Sequence, residues 1–140
     1  MDEKKVIWIT GASSGIGRAL AIKFANKGWS VVASARRINL LQELNQISKN
    51  IHPFPLDVTD TEQCKAVFKD IFEKFKNIEI CVFGTGIHDP KSEKEFNLDK
   101  IRKIMEVNYF GTMNSINSVY NYYNNKKSGQ ISIISSVAGY

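Results

Sequence analysis

Short apolar, β-branched runs alternate with longer amphipathic stretches along the whole chain, and this alternation decides most of what the chain can fold into. Residues 5–10 (KVIWIT), 29–35 (WSVVASA), 51–57 (IHPFPLD), 78–84 (IEICVFG) and 130–135 (QISIIS) have the length and composition of strands. Between them, residues 15–28, 38–49, 59–76 and a long stretch from Leu98 to about Asn125 carry apolar residues at helical spacing. Gly28 is a natural helix stop, and Thr59 or Asp60, with Glu62 or Gln63 three residues on, forms a capping pattern. Phe68, Ile71, Phe72 and Phe75 line one face of the third helix and are expected in the core. Strands that alternate with helices pair in parallel through right-handed crossovers. The expected fold is therefore an α/β, doubly wound parallel sheet, with the proline-bearing third strand at an edge.

At 140 residues the chain is one domain's worth, 1–140, and buries about two-thirds of its unfolded surface. No internal repeat or Gly/Ser-rich linker divides it. No apolar run approaches the roughly 20 residues of a membrane span, and residues 1–10 lack the apolar segment of a secretory leader. Cys64 and Cys81 form no CxxC pair, and with His52 and His88 they make no metal cluster. Buried thiols fit a reducing, cytoplasmic setting. The net charge is +5, yet lysines and arginines are scattered with no basic run, so a nucleic acid is not an expected partner, and without an apolar span neither is a membrane.

Chemistry enters at ITGASSGIG, between the first strand and the first helix. The spacing is Gly11-x-x-x-Gly15-x-Gly17. Gly11 permits the tight turn, Gly15 lets backbone approach a pyrophosphate, and Gly17 lets the helix pack closely on the strand. Backbone N–H groups and the positive dipole end of the helix then hold the anion, Ser13 and Ser14 add hydroxyl donors, and Ile16 completes the loop. After the second strand, where an acidic residue would accept from a ribose 2′-hydroxyl, stand Arg36 and Arg37. A guanidinium fork suits a 2′-phosphate, so NADP(H) is favoured over NAD(H). Arg36 is the assigned residue, and Arg37 is equally readable as a surface charge.

These residues resemble the short-chain dehydrogenase/reductase family over essentially the whole chain. TGASSGIG is similar to its cofactor loop, and LDVTD to the segment whose aspartate and next residue lie against adenine, here Asp57 and Val58. VNYFGTM resembles the helix segment bearing the active-site asparagine, here Asn108, and GQISIISSVAG resembles the strand ending in the catalytic serine. The serine before V-x-G, Ser136, is preferred over Ser135. Where the family shows N-N-A-G, this chain has FGTG: Gly84 and Gly86 still allow close approach to the cofactor, but Phe83 and Gly84 cannot make the asparagine hydrogen bonds that tie strands together.

The resemblance implies a Rossmann fold and hydride transfer between a nicotinamide and a carbonyl or alcohol carbon. It further implies a serine that positions substrate oxygen, an asparagine that holds a water relay, and a tyrosine acid/base made effective by lysine in a Tyr-x-x-x-Lys helix after the serine. Four residues follow Ser136, so Tyr140 is too close to be that tyrosine. Tyr109, Tyr120, Tyr122 and Tyr123 precede the serine strand, and YNYYNNKK is expected to be the fraying end of the long helix. The chain is thus expected to be a C-terminally truncated, catalytically silent dehydrogenase, its fifth strand left as an exposed apolar edge. A non-catalytic NADP(H)-binding or regulatory module is the alternative. Homo-oligomers built on the long helices are compatible with either.

Overall fold

The computed structural model describes residues 4–90 and 94–136; Val137, Gly139 and Tyr140 of the expected serine motif lie outside these. Five parallel strands form one sheet in the order β3-β2-β1-β4-β5. They are β1 (Val6–Thr10), β2 (Ser30–Ser34), β3 (Ile51–Pro53), β4 (Ile80–Phe83) and β5 (Gln130–Ile133). The crossovers are α1 (Gly15–Asn26), α2 (Ile38–Ile47), α3 (Thr61–Phe75) and a long final helix. The alternating pattern is therefore a doubly wound, Rossmann-like α/β sheet, as the sequence implied.

Strands β1 and β2 are buried at every position, because helices cover both faces. On one face Trp8, Val32, Cys81 and Phe83 pack with Cys64 and Ile71 of α3 and with Val119. On the other, Ile7, Ile9, Val31 and Val82 pack with Ala21 of α1 and Leu41 of α2. Trp8 anchors the first layer, stacking on Phe68 at 6.1 Å and meeting Phe83 edge-on at 5.7 Å. Its indole N–H donates to the Ser34 hydroxyl at 2.9 Å. Phe72, expected in the core stripe, is instead at the rim and packs on Tyr122. Both cysteines are buried packing groups: burial, chiefly, pushes the Cys64 thiol up to about 11 and the Cys81 thiol up to about 12.

Proline explains why regular β3 stops at Pro53, short of the expected Asp57. Phe54 N–H donates to Ala33 O at 2.9 Å and Leu56 N–H to Ala35 O at 3.0 Å. Alternate N–H groups thus still reach β2, and the prolines occupy the intervening positions, which face the free edge and need no donor. At the opposite edge β5 exposes Ile131 and Ile133.

The long helix departs from expectation in its middle. It begins as α4 (Leu98–Met105), passes through a π-helical turn (Glu106–Phe110) and continues as α5 (Gly111–Lys126). Gly111 seats it against the β3–α3 loop, where an added Cβ would stand 2.5 Å from Val58 Cγ2. The helix end is not frayed. Tyr122 Oη accepts from Ile78 N–H at 2.9 Å, Tyr123 Oη donates to Ile78 O at 3.2 Å, and Lys126 Nζ donates to Asn77 Oδ1 at 2.6 Å.

Where α1 turns off, Gly28 takes the left-handed region with φ 84°, the usual glycine solution. After α3 and α5 the same region is occupied by Lys76 (φ 61°) and Lys127 (φ 57°). A side chain there costs on the order of 1 kcal/mol relative to glycine. Lys127→Gly is accordingly expected to raise the melting temperature by about 3 °C, measured by circular dichroism, whereas Gly28→Lys is expected to lower it.

Candidate dinucleotide site

The strands all run the same way, so the segments that follow β1, β2, β3 and β4 collect at one end of the sheet. The chain reverses its winding between β1 and β4, and a crevice opens at that switch point. There a cleft of about 350 Å³ is lined by the glycine loop, by Arg36 and Arg37 after β2, by Asp57 and Val58 after β3, and by Gly84 and Gly86 after β4. Every residue expected to touch a dinucleotide, from Gly11 and Ser13 through Ser14, Gly15, Ile16 and Gly17, lines this one cleft.

The three glycines have distinct jobs. Gly11 has φ 70°, and a Cβ on it would meet Gly84 O at 2.6 Å, so it serves both the turn and the contact with β4. Gly15 has φ 56° and open space where a Cβ would be. Gly17 packs on the loop itself, not the strand: its Cβ would stand 2.2 Å from Gly11 O. Ser14 is the N-cap of α1 without a side-chain hydrogen bond to the first turn. The helix start, with its N–H groups and dipole, therefore faces the cleft without a built-in side-chain acceptor.

Ser13 is engaged differently from expectation: its hydroxyl accepts from Arg37 Nη2 at 3.1 Å, fastening the segment after β2 to the glycine loop. Asp57 accepts from Thr59 N–H at 3.0 Å and Thr59 Oγ1 at 2.7 Å. Partial burial pushes its carboxyl up, but these two bonds and the positive charge of Arg36 outweigh that and hold it below the usual value.

The FGTG segment replaces the missing asparagine ties by other means. Phe83 is buried against Trp8, and Gly84 N–H donates to Thr10 Oγ1 at 3.2 Å, joining β4 to β1. An added Cβ at Gly84 would come within 2.7 Å of Ile134 Cδ1, so the isoleucine occupies space a larger residue 84 would need. Ile134 lines the cleft, and neither its role nor that of Thr10 is signalled by local sequence.

Asn108 sits in the π-helical turn and grips the loop after β4 with both ends of its amide. Oδ1 accepts from Ile87 N–H at 2.7 Å and Nδ2 donates to Ile87 O at 2.8 Å. π turns recur at functional positions because they re-aim one side chain within a helix. Asn114, one face further along, donates to Val58 O at 2.9 Å and so holds the third cleft segment. Ser136 is exposed beyond β5, two residues past Ile134 and outside the cleft lining; it shares the sheet end with the other groups.

Two tyrosine–lysine pairs with one-turn spacing stand at the end of α5, Tyr122 with Lys126 and Tyr123 with the C-cap residue Lys127. Both lie by Asn77–Ile78, before β4, at the end of the sheet opposite the cleft. Burial, with Cys81 beside it, raises the Tyr123 phenol, the wrong direction for an acid/base near neutrality. They cannot serve the cleft.

A cleft at the switch point of a parallel sheet, lined by a glycine-rich loop and with the asparagine-bearing helix beside it, is the place where open α/β sheets hold their ligands. Residues 5–140 match the family described as "short chain dehydrogenase", and the chain belongs to that family. It is 36% identical over 142 residues to human "Dehydrogenase/reductase SDR family member 7", covering 96% of this chain and 42% of that protein. To the "3-oxoacyl-[acyl-carrier-protein] reductase FabG" of Thermotoga maritima it is 32% identical over 141 residues, covering 98% of this chain and 57% of the reductase. The solved structure "ElxO with NADP Bound" superposes with a TM-score of 0.90 at 27% identity, covering 97% of this chain and 57% of that one. The chain spans about half the length of the curated relatives it matches.

Proposed function

We propose that these 140 residues are the NADP(H)-binding part of a short-chain oxidoreductase. The observation that carries this is the single cleft bounded at one side by the start of α1, without a side-chain cap bond, and at another by Arg36. The first suits a pyrophosphate and the second a 2′-phosphate. A bound nicotinamide supplies or accepts the hydride. The chain's own residues do the rest of the binding: the loop N–H groups take the phosphates, Asp57 and Val58 flank the adenine, and Gly84 and Gly86 let backbone approach. Asn108 fixes the loop after β4, and the Ser136 hydroxyl orients the oxygen of a carbonyl or alcohol substrate.

Proton transfer would use a phenol with a lysine beside it at this end of the sheet, and among the described residues the tyrosine–lysine pairs of one-turn spacing lie at the other end. The 140 residues are therefore expected to bind cofactor without turning over. Two buried thiols favour a reducing, cytoplasmic setting.

Thermal unfolding with added NADPH tests the binding directly. At a hundredfold excess over Kd the stabilisation is about 2.7 kcal/mol, a rise in melting temperature of several degrees, with a smaller rise from NADH at the same concentration. No shift with either dinucleotide, or steady consumption of NADPH with carbonyl substrates, would contradict the proposal.

A further inference from the structure

The lysines that look scattered in the sequence are gathered by the topology. Lys4 and Lys5 precede β1, Lys27 precedes β2, Lys49 precedes β3, Lys76 precedes β4 and Lys127 precedes β5. All six stand at the strand-entry end of the parallel sheet, and all are exposed. Lys23, Lys74 and Lys126 join them from the last turns of α1, α3 and α5. Backbone bonds run across this end from loop to loop: Ser30 N–H to Lys5 O at 2.9 Å, Val31 N–H to Asn50 O at 2.8 Å, Gln130 N–H to Glu79 O at 2.9 Å. The lysines are thus held on one continuous surface.

The described carboxylates here are Glu73 and Glu79. Glu73 pairs with Lys69 at 3.9 Å, and Glu79 accepts from Val6 N–H and from Asn77 Nδ2. Even with Asp2 and Glu3, which precede Lys4 in the sequence, counted against it, this end carries the chain's whole net charge of +5. The remaining acidic and basic residues are equal in number. The concentrated charge is felt at His52: burial first, then Lys74 and Lys4, lower its pKa.

One cation per helix end would offset the helix dipoles. That accounts for Lys49 after α2 but not for Lys27, which follows Lys23 at the end of α1, nor for Lys4 and Lys5, which precede a strand and meet Asn50 and the Trp29 ring, nor for lysine at the two left-handed positions where glycine costs less. Glycine at 76 and 127 would relieve the left-handed backbone, and the lysines kept there are exposed, Lys127 with only a 3.5 Å bond to Asn124 Oδ1.

We propose that this end of the sheet is a docking face for an anionic phospholipid surface. Its cations come from both helical layers and across the breadth of five strands, which matches a plane of charge better than a linear phosphate track. The cations of this end are lysines; of the four arginines, Arg36 and Arg37 line the cleft, Arg18 lies in the first turn of α1, and Arg102 lies in α4 paired with Asp99. Lysine suits diffuse attraction to headgroups, while arginine forks dominate nucleic-acid recognition. Ile47, 52% exposed at the last residue of α2, adds an apolar side chain that a bilayer accommodates. Docked this way, the dinucleotide cleft at the opposite end stays open to solution.

Flotation of the 140-residue chain with vesicles tests this, since aggregated chain sinks while vesicle-bound chain rises. Phosphatidylcholine vesicles with about 30% phosphatidylserine are expected to carry it at about 0.1 M salt, and phosphatidylcholine alone is not. The double variant Lys76→Gly/Lys127→Gly is expected to partition about 25-fold more weakly, about fivefold per lysine, while melting higher than the parent. Lys65→Gln/Lys103→Gln removes the same charge elsewhere and is expected to leave partitioning unchanged. Equal loss from both pairs, flotation with phosphatidylcholine alone, or binding to an oligonucleotide but not to vesicles would each overturn the assignment.

Discussion

Replacing Gly17 by alanine is expected to abolish NADPH binding and to destabilise the fold by about 2–3 kcal/mol, the range for forcing a group into a packed site. The added methyl has nowhere to go. It would stand 2.2 Å from Gly11 O and 2.8 Å from Gly11 C, both backbone atoms of the loop that follows β1. Relief requires α1 to move away from the loop, which carries the N–H groups of its first turn off the phosphate position. Gly15→Ala separates conformation from space, because φ is 56° but nothing lies within 4 Å of the new Cβ. It is expected to cost about 1 kcal/mol and to weaken binding without abolishing folding. Urea unfolding and calorimetric titration on both variants check this. Equal, small effects at 15 and 17 would mean that the loop does not use close helix packing as its geometry implies.

Arg36→Gln is expected to weaken NADPH binding by about 10- to 100-fold and to leave NADH within about twofold. Those factors correspond to the loss of one charge-assisted interaction with a 2′-phosphate, about 1.5–3 kcal/mol. Arg36 lines the cleft and acts electrostatically on Asp57, which places its charge beside the proposed adenosine end. Arg37 spends part of its fork on the Ser13 hydroxyl, so Arg37→Gln should disturb the loop and lower affinity for both dinucleotides alike. The two arginines are adjacent in sequence, yet one is expected to discriminate and the other to position. Reversed patterns would exchange their roles.

Most of the fold is legible in the sequence because local chemistry and tertiary demand agree. β1 and β2 read as unbroken apolar runs since both faces are buried, and the prolines at 53 and 55 name an edge because an edge alone spares their missing donors. The glycine loop is legible for the same reason: backbone geometry there admits few residues. What stays hidden depends on partners remote in sequence. Asn108 in the π turn bonds Ile87, and Gly84 leaves room for Ile134, about 50 positions on in the segment after β5, so no periodicity reports them. The end of α5 reads as fraying in the sequence because its tyrosines and lysine are polar, and only the fold reveals Asn77 and Ile78 beneath them. The lysine face is invisible for a similar reason: each lysine is isolated along the chain, and parallel topology alone brings the strand entries together.

Calorimetric titration of the 140-residue chain with NADPH and NADH tests the central claim most directly. Saturable one-to-one binding of NADPH, at least tenfold tighter than NADH and lost in Gly17→Ala, is the result expected from a cleft that pairs a phosphate-binding helix start with Arg36. Equal affinity for the two dinucleotides would contradict the 2′-phosphate assignment, and no heat with either would contradict the dinucleotide site itself.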